Sequence, residues 1–215
     1  MTGLMVKDFL VMQKSIKTYI LFLAFYFVMT ALGLFPISFV TSMVQLIIMM
    51  LPLSAFSYDE LAKWDRYAFS LPLGRRAVAG ARYLFALLLS LFAALFGLVS
   101  CLILSVFFHD PNLVENCLTV TVSLALGLLY CDILLPLTYK LGPERARPYF
   151  YLVIFLPIIL LFVAFKLELL GGLAFLLELP DAVVIPFLLL LPLLPLLGMG
   201  ISFLISCRIL ERKEF

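Results

Sequence analysis

Apolar residues run along this chain in long uninterrupted stretches separated by short polar breaks, with no period-2 alternation. Six stretches are long enough for a helix to cross a bilayer: Tyr19–Ile37, Val40–Phe56, Tyr83–Phe107, Leu118–Tyr139, Tyr149–Phe165 and Val183–Cys207. A hydrocarbon core of about 30 Å takes roughly 20 helical residues at ~1.5 Å each. Continuous apolar runs predict helices rather than the alternating strands of a membrane barrel. The arm over residues 1–18 differs: Met5, Phe9, Met12 and Ile16 recur at helical spacing while Lys7, Lys14 and Lys17 fall on another face. That pattern predicts an amphipathic helix lying at the membrane interface. The stretch Glu168–Asp181, "ELLGGLAFLLELPD", is apolar but too short to cross, and predicts a re-entrant or interfacial helix pair within residues 166–182. The first run lacks a small-x-small cleavage site and leads almost directly into the second, so it reads as a span and not as a removed leader. The expected architecture is a single all-α transmembrane domain over residues 1–215.

Composition agrees with the pattern. Hydrophobic residues make up 65% and charged residues 13% of the chain, with a mean hydropathy of +1.21. A soluble domain carries roughly 45–50% apolar and about 25% charged residues. The net charge of +2 gives no reason to expect nucleic acid. The placement of charge is more informative. Lys7, Lys14 and Lys17 precede span 1, and Lys63, Arg66, Arg75, Arg76 and Arg82 lie between spans 2 and 3. Lys140, Arg145 and Arg147 lie between spans 4 and 5, and Arg208, Arg212 and Lys213 follow span 6. Six spans put all of these on one side, and only Lys166 on the other. Basic loops stay in the cytoplasm, so both termini are expected there, in a multi-pass plasma-membrane protein. The four cysteines have no C-x-x-C spacing and read as small packing residues, and a lone histidine, His109, argues against a histidine-based metal site.

The polar break at Ser57–Arg76, "SYDELAKWDRYAFSLPLGRR", holds seven charged residues and the only tryptophan, Trp64. Ser57 is placed to cap a helix whose first turn holds Asp59 and Glu60. Asp59 and Lys63 form an i,i+4 pair. Leu61, Trp64, Ala68 and Leu71 share one arc, and Asp59, Lys63, Arg66 and Ser70 the opposite arc. Pro72 and Gly74 end the helix. Two readings fit such a short two-faced helix: a loop whose Trp64 rests among headgroups, or a docking element with tryptophan and arginine anchors. The second cytoplasmic loop, Leu141–Pro148, serves as positive-inside anchoring or as a further contact.

Within the spans, Asp132 stands about 12 Å along the helix from Lys140. An aspartate at mid-membrane depth faces a partner or water. Pro136, four residues on, cannot donate a hydrogen bond to the Asp132 carbonyl. Pro192 and Pro195 likewise remove donors from span 6 and predict a bend, with Gly198 and Gly200 allowing close helix contact. Asp132, Pro136, Pro192 and Pro195 are therefore candidates for a pathway or gate, with static packing as the plainer alternative.

The stretch Phe56–Leu84 resembles a signature of ABC-2 type transporter permeases, the membrane subunits of ATP-driven exporters. An aromatic-x-Tyr-Asp-Glu run, a Lys-Trp-Asp segment, a Leu-Pro-x-x-Arg turn and an Arg-Tyr entering span 3 correspond here to Phe56, Tyr58, Asp59, Glu60, Lys63, Trp64, Asp65, Leu71, Pro72, Arg75, Arg82 and Tyr83. The opening "GLMVKDF" and closing "ERKEF" also resemble the ends of such subunits, so the likeness extends over the whole chain. It implies that two permease subunits, identical or homologous, form a pathway above two ATPase subunits. The ATPases would bind ATP and Mg. This chain would bind no cofactor and catalyse nothing itself, and it has no G-x-x-x-x-G-K-[ST] loop. The resemblance makes residues 57–82 a coupling loop, with Tyr58, Asp59, Glu60, Lys63, Trp64, Asp65, Arg66 and Tyr67 at the ATPase interface. It also implies re-entrant helices between spans 5 and 6. Permeases of the subgroup that this chain resembles include bacterial exporters of amphipathic, membrane-active peptides such as phenol-soluble modulins, and others linked to self-protection against antimicrobial peptides. The apolar and aromatic spans favour a hydrophobic or amphipathic cargo. An exporter of lipids or drugs, an ATP-independent transporter or channel, and a membrane scaffold are the alternatives.

Overall fold

The computed structural model describes residues 2–64, 74–108, 112–166 and 181–212, and every regular element among them is a helix. In chain order these are α1 (Thr2–Ala31), α2 (Ile37–Leu61), α3 (Arg75–Phe108), α4 (Leu113–Leu141), α5 (Pro143–Lys166), α6 (Asp181–Leu190) and α7 (Leu193–Arg212). α2, α3, α4, α5 and the α6–α7 pair are each long and apolar enough to cross a membrane. α1 is bent by 67° between its halves, residues 3–13 and 17–31, and makes a sixth span if the halves are counted together. Most of the predicted segment 166–182 lies outside the described residues.

Several boundaries depart from the sequence pattern for local reasons. Span 1 was expected to reach Ile37, but α1 stops at Ala31. Gly33 takes a left-handed φ of +75°, which suits glycine, and Pro36 disfavours helical geometry at the residue before it. In the other direction, α2 does not stop at Phe56 but runs on to Leu61. Ser57 does not cap a new helix: its Oγ donates to the Leu53 carbonyl, one turn back in the same helix. Only residues 62–74 then lie between α2 and α3. The bend expected in span 6 is a break between α6 and α7 at Leu191–Pro192. The Leu188 carbonyl, which Pro192 cannot serve, accepts instead from the Leu191 N–H at 3.3 Å.

α4 is the central helix, packed against α2, α3, α5, α6 and α7. Lipid removes most of the hydrophobic drive for helices to associate, so close approach through small residues becomes decisive. α3 presents Ala79, Ala86, Ser90, Ala93, Gly97 and Ser100 as a buried stripe, and α7 presents Ser202 and Ser206 one turn apart. Phe56, Tyr83, Leu128, Leu135, Tyr139 and Leu210 fill the main core where α2, α3, α4 and α7 meet. A second core joins Met12 of α1 to Val40, Val44 and Leu51 of α2 and Phe85 of α3. α5 packs on α4 through Phe150 against Tyr130 and Leu134 and leaves Phe155, Ile158, Ile159 and Phe162 exposed, as lipid-facing residues are.

Candidate functional site

The helix order brings four charged side chains together at one end of the bundle, beside the 62–74 connection. Each enters because it occupies a position on a buried helical stripe. Asp8 lies between Leu4 and Met12, which are buried one turn to either side, and Asp59 follows Ala55 by one turn on α2. Arg82 sits in the small-residue stripe of α3 beside Ala79 and Ala86. Lys7 reaches in from the neighbouring position on α1.

These four side chains form a closed ring of alternating charge. Lys7 Nζ lies 3.0 Å from Asp8 Oδ1 and 2.7 Å from Asp59 Oδ1. Arg82 Nη1 lies 3.1 Å from Asp8 Oδ2, and Nη2 donates to Asp59 Oδ2. The side chains of Asp8, Asp59 and Arg82 are less than a tenth exposed, and that of Lys7 one-fifth. The ring is neutral: Arg82 Nη2 hydrogen-bonds Asp59, while Nη1 is ion-paired with Asp8 without a hydrogen bond among the described residues. Such an arrangement offsets the cost of burying charge, and losing one member leaves an uncompensated ion, which costs about 3–5 kcal/mol. Two aromatic rings close the site: the Arg82 guanidinium lies 4.4 Å from the Phe56 ring centroid, and Lys7 Nζ lies 4.5 Å from that of Trp64. The ring thereby ties the α1 arm to the end of α2 and the start of α3.

The start of α3 is fastened as well. Arg75 Nη1 donates to the Leu210 and Glu211 carbonyls at 2.9 and 2.8 Å. Those carbonyls belong to the last turn of α7, where a cation is favoured. Arg76 Nε adds an exposed ion pair with Glu211 at 2.9 Å.

The predicted interface residues divide on this framework. Tyr58, Glu60 and Lys63 are exposed, and Trp64 is half-buried. Tyr58 Oη shares a hydrogen bond with Ser15 at 2.8 Å. Lys63 turns the chain out of α2 with a left-handed φ of 50°. Asp59 is the exception. It is paired with Lys7 and Arg82 and not with Lys63, so it points into the bundle and away from any docking face. Lys7, expected with Lys14 and Lys17 on the cationic face of an interfacial helix, is part of the same ring. Asp65, Arg66 and Tyr67 lie outside the described residues. Sequence reasoning missed Asp8, although a carboxylate one turn from two buried apolar residues is a readable signal.

A second polar junction lies within the spans. The Asp132 carbonyl, deprived of a donor by Pro136, accepts from Ser202 Oγ on α7 at 2.6 Å. Tyr83 Oη of α3 lies 2.7 Å from both Ser202 Oγ and Ser206 Oγ. Each hydroxyl has one proton, so a single direction satisfies all three contacts: Ser206 donates to Tyr83, Tyr83 to Ser202, and Ser202 to the Asp132 carbonyl. The Asp132 carboxyl lies over Gly198, where an added Cβ would sit 2.7 Å from Oδ2. Its Oδ1 is buried without a hydrogen-bond partner among the described residues. Pro136 is thus joined to the Asp132 junction through the backbone. Pro195 is buried one turn of α7 before Met199, and Pro192 marks the break before α7.

The family model described as ABC-2 family transporter protein matches residues 3–211, and the chain belongs to that family. It is therefore a multi-pass membrane component of an ABC transporter. Neither a curated protein nor a solved structure matches the chain.

Proposed function

We propose that this chain is the permease subunit of an ATP-driven exporter of amphipathic or hydrophobic cargo, and that the connection after α2 receives the movement of a separate ATPase. The observation that carries this reading is the fastening of the two helix ends that flank residues 62–74. At one side the Lys7–Asp8–Arg82–Asp59 ring holds the end of α2 to the α1 arm and α3. At the other, Arg75 holds the start of α3 to the end of α7. A push on the connection is then delivered to α1 and α7 together, as a lever requires. Tyr58, Glu60, Lys63 and Trp64 supply its outward face, while Asp59 fastens it.

In this reading the basic end of the bundle, with both termini, is cytoplasmic, in a bacterial plasma membrane. Two ATPase subunits bind ATP and Mg beneath two permease subunits, and the present chain contributes no catalytic group. The Asp132–Gly198 junction and the break at Pro192 lie where α7 moves against α4. Membrane-active amphipathic peptides are the proposed cargo, in keeping with spans of apolar and aromatic residues. A second reading, export of lipid or apolar drug, draws on a cavity of about 780 Å³ between α1 and α3, lined by Tyr19, Leu23, Phe27, Phe92 and Phe96.

The test is capture of the tagged chain from its native membranes. A nucleotide-hydrolysing ATPase subunit is expected with it, and Glu60→Lys with Lys63→Glu should lower its recovery roughly tenfold, a change of ~1.4 kcal/mol. Absence of an ATPase, or equal recovery with the variant, overturns the docking assignment.

A further inference from the structure

Two cysteines meet at the end of the bundle away from the ion ring. Cys101 on α3 and Cys117 on α4 have their sulfurs 4.0 Å apart, sixteen residues apart in the chain. They share a cluster with Ile37, Leu104 and Phe27. Cys101 is fully buried, Cys117 is partly exposed, and neither is in a disulfide. A disulfide brings its sulfurs to about 2.05 Å, so closure needs about 2 Å of approach, within reach of a side-chain rotation between staggered positions. The helices involved are antiparallel neighbours joined by a short connection, so a bond here adds a cross-link without reorganising the chain path.

We propose that Cys101 and Cys117 are a reversible dithiol–disulfide pair that, when oxidised, staples α3 to α4. In the orientation proposed above this end lies outside the cytoplasm, where disulfides persist. The redox environment rests on that reading, whereas the ability of the pair to close does not. The co-reactant is a small disulfide. Cys117, the more accessible thiol, gives its proton to water, and its thiolate attacks one sulfur of the small disulfide and expels the first thiolate. Cys101 then loses its proton and attacks the Cys117 sulfur, expelling the second. The two released thiolates take up the two protons. One protein disulfide and two small thiols result, with the protein oxidised and the small disulfide reduced.

The experiment uses the purified full chain in nanodiscs, with 4,4′-dithiodipyridine as a small apolar disulfide. The expected product has lost the mass of two hydrogens and yields a Cys101–Cys117 linked peptide on proteolysis. Cys131→Ala with Cys207→Ala should still give that product and release two thiopyridones per chain, while Cys117→Ser should give no internal link. Stable mixed disulfides, unreacted thiols, or links made through Cys131 or Cys207 overturn the proposal. None of these readouts depends on transport or on an ATPase. Orientation is tested separately by which face of sealed vesicles allows protease to remove a tag after Phe215. A tag outside the cytoplasm together with a closed pair refutes the orientation and leaves the pair standing.

Discussion

The two polar sites in this bundle treat buried aspartates in opposite ways. Asp8 and Asp59 sit in a closed neutral ring, each in contact with both Lys7 and Arg82. Asp132 meets a glycine, and one of its oxygens has no partner among the described residues. The ring lies where three helices leave the bundle and must be held, and the Asp132 junction lies between α4 and α7, where hydroxyl contacts and a missing Cβ set the spacing. The contrast suggests a rigid fastening at one end and an adjustable seam within the spans.

The sharpest way to break this contrast is to open the ring. Arg82→Met leaves two carboxylates facing one ammonium and should lower stability by about 3–5 kcal/mol. Thermal unfolding of the detergent-solubilised chain would register this as a large fall in melting temperature, with Arg82→Lys falling between the variant and the parent. A melting temperature unmoved by Arg82→Met would mean that the ring is not what holds these helices.

The seam should respond less, and in a way that can be reversed. Gly198→Ala puts a methyl group against the Asp132 carboxyl and should cost about 1–3 kcal/mol through overpacking. Adding Asp132→Ala makes room for that methyl group and should return much of the loss, a coupling that a double-mutant cycle reads directly. Strict additivity of the two changes would show that the glycine answers to something other than the carboxyl. Smallest of all is the exposed Arg76–Glu211 pair. Arg76→Ala should change stability by at most about 1 kcal/mol, and a larger loss would show that the exposed rim, as well as Arg75, fastens α3 to α7.

Much of the fold was legible because lipid imposes a simple demand: apolar length sufficient to cross, with polar breaks between. Four of the six predicted runs fall within single helices, the first runs past the end of α1, and the sixth divides between α6 and α7 at Pro192. Boundaries failed where a residue has two local uses. Ser57 has the composition of a cap, yet its hydroxyl is equally satisfied by the Leu53 carbonyl behind it, so α2 continues. Gly33 and Pro36 were a stop signal hidden inside an apolar run. The site was legible only in part. The signature around Tyr58–Trp64 drew attention to this segment, but a helical wheel of it cannot show that Asp59 pairs with Lys7 and Arg82, which are distant along the chain. Pairing across helices is set by how the stripes pack, and that information is not local. The small stripe on α3 and the two serines on α7 foretold close packing without naming the tyrosine that joins them.

The central claim is that movement of the 62–74 connection reaches α7 through Arg75. It is tested most directly by spin labels placed at exposed positions on α4 and α7, Leu126→Cys and Leu197→Cys, in the complex captured with its ATPase. The native cysteines are replaced, and distances are compared in the nucleotide-free state and in the state trapped with ADP and vanadate. The account predicts a change in the α4–α7 distance on trapping, and its loss in Arg75→Ala although the ATPase remains bound. No change in the parent complex, or the same change in Arg75→Ala, would contradict it.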